Sequence, residues 1–203
     1  MIAPVYTADI APSGLNLDDF INDAPLPRVE DIVLRQKDPI EGVTLTPLIA
    51  HSDDRGALIE LLTTRDGTIE PIVHVYQVAC LPGSIRAWIY HKRHADRLAF
   101  CNGDFEIALF DIRPDSPTIN QLAVFRLGRE QPALLRLPPC VVHGVCNVGK
   151  DTSIFMNMPT RAYDRRDPDK FRLSKDDPRI PYRFNASSGS SEREITPPSP
   201  RPR

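Results

Sequence analysis

Glycine is scarce in this chain, at 10 of 203 residues, tryptophan occurs once, and neither sign of charge dominates: 25 Lys and Arg face 27 Asp and Glu, for a net −2. That near-balance leaves no broad cationic surface for nucleic acid. No apolar run approaches the roughly 18 to 20 residues that span a bilayer, so no membrane partner is expected. The N-terminus, MIAPVYTADIAPSGLNLDD, lacks both a basic leader and a continuous apolar stretch, which argues against a secretory signal. The four cysteines, Cys80, Cys101, Cys140 and Cys146, form no C-x-x-C pair and lie in or beside apolar segments. They read as reduced, mostly buried thiols of a cytoplasmic protein and not as a zinc cluster.

What the chain has in excess is proline, 21 residues of it. Proline interrupts helix interiors and central strands, which excludes a helical bundle and favours a loop-rich β fold. Residues 1–44 form a proline-broken lead-in with one short amphipathic candidate, Val29 to Arg35. From Leu45 onward short apolar runs alternate with turn sequences about every ten residues: LTPLIA, ALIELL, PIVHVYQVACL, SIRAWIY, RLAFC, FEIALFDI, LAVFRL, ALLRL, CVVHGV and SIFMNM. Evenly spaced short strands describe an all-β sandwich or barrel. Phe105 to Asp111 is largely apolar on both faces, as a strand between two layers requires. Asn102-Gly103 between two runs is a hairpin signal. The charged segment after Met158 reads as an ordered strap with little regular structure. Residues 185–203, rich in serine and proline, have too little to bury and are expected to be disordered.

Three clusters carry possible chemistry. Asp53-Asp54-Arg55-Gly56 leads into a strand and by itself predicts only a turn. In Ile85 to Tyr90, strict alternation puts Ala87, Ile89 and His91 on one face and Arg86, Trp88 and Tyr90 on the other. In Leu137 to Asn147, His143 is followed by Gly144 at a tight backbone point, and histidine is the side chain most readily tuned for proton transfer near neutral pH.

Taken in order, D-D-R-G at 53–56, I-R-A-W at 85–88, G-D-F-E-I-A-L-F-D-I-R-P-D-S-P-T at 103–118, L-P-P-C-V-V-H-G at 137–144 and D-P-R-I-P-Y at 177–182 resemble the dTDP-4-dehydrorhamnose 3,5-epimerase family of the cupin superfamily. The resemblance runs from about Leu48 to Phe184. It implies a cupin-type jelly-roll barrel over residues 45–184, a homodimer, a nucleotide-sugar in the barrel mouth, and no metal or other cofactor. It also implies roles. Arg55 and Glu60 help hold the nucleotide-sugar, Arg86 meets its diphosphate, and His143 is a pocket histidine. Tyr163 matches a substrate-contacting tyrosine, Arg97 stands near the family's lysine, and His74 stands where a glutamine usually sits.

The departures fall on the chemistry. Ile89 occupies the position of the family's base and Asn157 that of its acid, and the aspartate that orients the base has no counterpart after Phe184. An isoleucine accepts no proton, and an amide is a negligible acid at neutral pH. His91, about 6.5 to 7 Å further along the same strand face, is the replacement candidate for the base. His143 then stabilises the enolate and Tyr163 supplies the opposite-face acid. Two other readings stay open. One is a non-catalytic nucleotide-sugar or carbohydrate-binding cupin. The other is a metal-dependent cupin using His91, His94, His143 and perhaps His74, with Asp96 as an oxygen ligand. The H-x-x-H spacing of His91 and His94 tells against the second, since it turns the imidazoles to different faces unless a bulge intervenes.

Overall fold

The computed structural model describes residues 40–63 and 70–185. The 185–203 tail, apart from its first residue, and most of the 1–44 lead-in, with the Val29 to Arg35 candidate, lie outside them. In chain order the strands are β1 (Thr44–Pro47), β2 (Ala50–Asp53), β3 (Gly56–Ile59), β4 (Tyr76–Cys80), β5 (Ile85–Tyr90) and β6 (Asp96–Asn102). They continue with β7 (Asp104–Asp111), β8 (Leu122–Gly128), β9 (Ala133–Leu137), β10 (Val141–Asn147), β11 (Ser153–Asn157) and β12 (Phe171–Arg172). Each of the apolar runs contains a strand. β12 is the addition, a two-residue strand inside the segment expected to be an irregular strap.

Two five-stranded antiparallel sheets, ordered β1-β9-β6-β11-β4 and β12-β5-β10-β7-β8, face each other as a jelly roll, and β2-β3 forms a separate hairpin. No helix among the described residues is long and apolar enough to cross a membrane. The inner core gathers Phe100, Phe105, Ile107, Leu109, Leu135 and Phe155 between the sheets. Ile40 and Val43, from the lead-in, are fully buried in it. A second cluster of Trp88, Ala108, Phe110, Val142 and Ile180 lies on the other side of β5, β10 and β7. The C-terminal I-P-Y segment covers it with Tyr182 and Phe184, whose rings lie 6.4 and 5.2 Å from Trp88. Burial on both faces explains why β7 is largely apolar, with Phe105, Ile107 and Leu109 in the inner core and Ala108 and Phe110 in the second cluster.

Two local expectations need correction. Asn102-Gly103 does not close a hairpin: β6 pairs with β9 and β11, while β7 pairs with β10 and β8. The turn instead carries the chain from one sheet to the other. Gly103 is required there by its positive φ of 82° and by Ser153, whose Oγ would lie 2.1 Å from an added Cβ. Strict alternation also fails within β5. His143 pairs with Ile89 but Val145 pairs with Arg86, so β5 carries one extra residue against β10. That bulge turns Arg86 to the same side as Ile89. All four cysteines are free thiols, Cys80 and Cys146 buried, Cys101 and Cys140 half-buried.

The D-I-R-P-D-S-P-T block proves to be architectural. The Asp111 carboxylate, at 0% exposure, accepts from Arg113 Nε and Nη2 at 2.9 and 2.8 Å, Ser116 Oγ at 2.6 Å and Thr118 Oγ1 at 2.7 Å. It closes the corner between β7 and β8, and Arg113 and its hydroxyl donors hold the carboxyl well below its usual range against the cost of burial.

Candidate functional site

Between the sheets lies a cavity of about 350 Å³. One wall carries Tyr76, Asp96 and Asn157 from β4, β6 and β11. The other carries Arg86, Ile89 and His143 from β5 and β10, with His91, Lys170 and Arg172 alongside.

Asp96 is the centre of this site. Its side chain is 2% exposed, and its Oδ2 lies 3.3 Å from His91 Nε2 and 3.5 Å from His143 Nε2. Oδ1 accepts from Asn157 Nδ2 at 2.9 Å and lies 3.7 Å from His94 Nε2. Burial alone would raise this carboxyl; the His91, His143 and Asn157 partners outweigh it and hold the group far below the usual carboxylate range.

His91 stands where β5 ends, and Cys140 N–H donates to its carbonyl at 2.7 Å, tying the L-P-P-C turn to it. Its Nδ1 meets the Asp169 carbonyl in a short hydrogen bond. Asp169 Oδ1 and Oδ2 also accept from Lys92 N and Arg93 N at 2.8 Å each, and Oδ2 lies 2.8 Å from His94 Nδ1. One aspartate thus fixes the whole β5–β6 turn. Burial works to lower the His91 pKa, but Asp96 and the Asp169 carbonyl raise it above its ordinary value. His143 behaves oppositely: burial pushes it down to about 4, so it is neutral near pH 7. With Nδ1–H of His91 given to Asp169, its Nε2 holds the lone pair, and a proton arriving there is stabilised by the adjacent carboxylate.

The structure therefore brings Arg86, His91 and His143 into one cavity. It does not bring the other sequence candidates there. Arg97 is 3% exposed and fully occupied by the carbonyls of Met158, Glu70 and Pro71 at 2.6, 2.8 and 3.1 Å. Its role is to hold the chain ends of β11 and β4. Arg55 sits in the β2–β3 turn with its side chain 85% exposed, 2.5 Å from Asp53. Neither it nor Glu60 lines the cavity. His74 is half-buried with its ring 5.3 Å from that of Tyr76. Tyr163 is 58% exposed and lines a separate, smaller depression with Arg93 and His94.

The residues that sequence reasoning missed at the cavity are Tyr76, Lys170 and Arg172; Asp96 had been weighed only as a possible metal ligand. The alternation argument against His91 and His94 also fails. The strand ends at Tyr90, and in the turn beyond it their rings approach to 4.1 Å.

Two opposed sheets of a cupin-like jelly roll thus enclose a polar cavity with cations on one side and a histidine–aspartate pair within. The fold is that of the dTDP-4-dehydrorhamnose 3,5-epimerases and their relatives. The dTDP sugar isomerase of Desulfovibrio desulfuricans superposes with a TM-score of 0.67 at 27% identity, covering 75% of this chain and 95% of that one. The dTDP-4-dehydrorhamnose 3,5-epimerase of Bacillus anthracis, solved with TDP and pyrophosphate, gives 0.65 at 20% identity, covering 76% and 90%. The chain belongs to the polysaccharide biosynthesis C-terminal domain family, whose model matches residues 51–171. Relatives include the spore coat polysaccharide biosynthesis protein SpsL of Bacillus subtilis, 32% identical over 146 residues, 72% of this chain and 97% of that one. A probable low-salt glycan biosynthesis epimerase of Haloferax volcanii is 34% identical over 150 residues, 72% and 96%.

Proposed function

We propose that this chain is an epimerase that acts on a nucleotide-linked 4-keto-6-deoxy sugar in a polysaccharide pathway. The observation that carries the reading is His91, paired with Asp96 and fixed by Asp169, in a cavity that also presents Arg86, Lys170 and Arg172. Three cations suit a diphosphate, to which a guanidinium offers a bidentate fork. A proton beside a ketone is acidic enough for an imidazole to remove once the enolate is stabilised. His91 Nε2 takes it, Asp96 stabilises the imidazolium, and the neutral His143 faces the reacting carbons. A homodimer in the cytoplasm belongs to the same reading, supported by the resemblance alone.

The test is His91→Ala with dTDP-4-keto-6-deoxyglucose in D2O, followed by NMR at the carbons flanking the ketone. The expected result is loss of protein-dependent exchange in the variant. Exchange that survives the substitution removes His91 from the role.

One observation favours a second reading, a divalent cation site. His91, His94 and Asp96 each offer a ligand atom, all within 4.8 Å of one another. His91 and His94 both give Nδ1 to oxygens of Asp169, leaving Nε2 for a metal in the manner of outer-shell-fixed ligands. A bound cation would supply Lewis acidity toward a ketone or hydroxyl oxygen. Stoichiometric metal in protein purified without chelator, lost in His94→Ala, supports this reading. Metal far below one per chain, with exchange indifferent to chelator, refutes it.

A further inference from the structure

Removal of a proton beside a ketone leaves a planar centre, and inversion requires that the proton return from the opposite side. The histidines account for one side only. Tyr163, half-exposed at a separate depression, does not reach the cavity that His91 and His143 line.

We propose that the Tyr76 hydroxyl is the proton donor on the opposite wall, a role that rests on the epimerase reading and deepens it. Tyr76 lines the same cavity as His91 and His143 but comes from β4, in the sheet facing theirs. The β11–β4 register sets it directly opposite Asn157. Asn157 Nδ2 donates to the Tyr76 hydroxyl oxygen at 2.8 Å and to Asp96 Oδ1 at 2.9 Å. The phenol is therefore joined through one amide to the carboxylate that partners His91. Its oxygen is held by an amide donor, while its own O–H donates to no protein acceptor among the described residues, which leaves that proton for a ligand.

A second observation points the same way. Asn157 Oδ1 is buried, in a residue 4% exposed, and has no hydrogen-bond partner among the described residues. A buried orphan acceptor is costly unless a ligand donor, such as a sugar hydroxyl, meets it. Burial and the nearby Asp96 charge raise the Tyr76 pKa, so the phenol stays protonated near neutral pH and is ready to donate. Asn157 stands where the resemblance expects an acid. It is not the acid here but the side chain that holds one, and the hydroxyl has moved to the neighbouring strand.

The experiment separates exchange from inversion. Full-length wild type, Tyr76→Phe and Tyr163→Phe are incubated in D2O with dTDP-4-keto-6-deoxyglucose. Deuterium entry with retained configuration and formation of the inverted epimer are then timed separately by NMR. Tyr76→Phe keeps deuterium entry within about threefold of wild type and loses inversion by about 100-fold or more, the scale of one general acid. Tyr163→Phe keeps both deuterium entry and inversion within about threefold of wild type. Substitution of 3-fluorotyrosine at position 76, which preserves shape and the Asn157 contact, moves the alkaline limb of the inversion rate to lower pH. Inversion at the wild-type rate in Tyr76→Phe, loss of exchange and inversion together, or an unmoved alkaline limb overturns the assignment while the epimerase reading stands. Wild type that neither exchanges nor inverts overturns both.

Discussion

Asp96→Asn tests the electrostatics of the site without altering its shape. The carboxylate is almost completely buried, 3.3 Å from one imidazole and 3.5 Å from another. A full charge pair at that separation has a Coulomb energy of about 5 kcal/mol at an effective dielectric of about 20, before the desolvation of both groups is subtracted. What survives in practice is a shift of about one to three pH units for a group with an opposite charge this close, or roughly 1.4 to 4 kcal/mol. In wild type the His91 midpoint stands above its ordinary value because Asp96 and the Asp169 carbonyl outweigh burial. In Asp96→Asn only the Asp169 carbonyl remains against burial and the nearby Lys170 charge, so the midpoint falls.

Long-range proton–nitrogen correlation spectra of histidine-labelled protein, with His91→Gln to assign the signal, report both midpoints. The stability consequence has a definite sign. Asp96, depressed when folded, contributes stability that is present above the ordinary carboxylate range and lost as pH falls below it. His91, raised when folded, contributes stability present below its unfolded value and lost as pH rises through its folded one. Unfolding free energy in the variant should therefore depend less on pH at both limbs. A His91 midpoint that stays the same in Asp96→Asn would refute the pairing.

Asp111→Asn should cost about 3–5 kcal/mol by urea titration, since Arg113 loses the charge of its buried partner; a loss below 1 kcal/mol would show that the corner tolerates a neutral side chain. Arg86→Ala should weaken dTDP binding by calorimetry about 10- to 100-fold, the worth of a charge-assisted contact, without changing the thermal midpoint by more than about 2 °C, because the side chain is exposed and its one hydrogen bond among the described residues is a 3.4 Å contact to Ala79 O. Unchanged Kd would remove Arg86 from the diphosphate site.

Much of the fold was legible because alternation and turn chemistry are local. The runs from Leu45 to Met158 each hold a strand, and Asp53 to Gly56 closes the β2–β3 hairpin. Asn102-Gly103 misled because a turn sequence specifies a change of direction but not which sheet the chain enters next. The resemblance gives Arg86 a diphosphate role and periodicity sets it on the face opposite Ile89; the structure puts it beside Ile89 at the cavity, since a one-residue bulge leaves no trace in hydrophobic spacing. The site was harder to read because its contacts are distant in sequence. His91 meets Asp169 across 78 positions and Asn157 meets Tyr76 across 81. Tyr163 offered a tyrosine in the expected stretch of chain, while the hydroxyl at the cavity lies on an edge strand whose only sequence signal was an apolar run. Asp111 shows the converse: the most specific motif marks a buried corner, not chemistry.

The most direct test of the central claim is deuterium entry into dTDP-4-keto-6-deoxyglucose incubated with the wild-type chain in D2O, read at the protons on carbons 3 and 5. The account predicts loss of at least one signal at a rate proportional to protein. Persistence of both protons while line broadening shows the ligand bound would contradict it and leave a cavity that holds a nucleotide-sugar without reacting it.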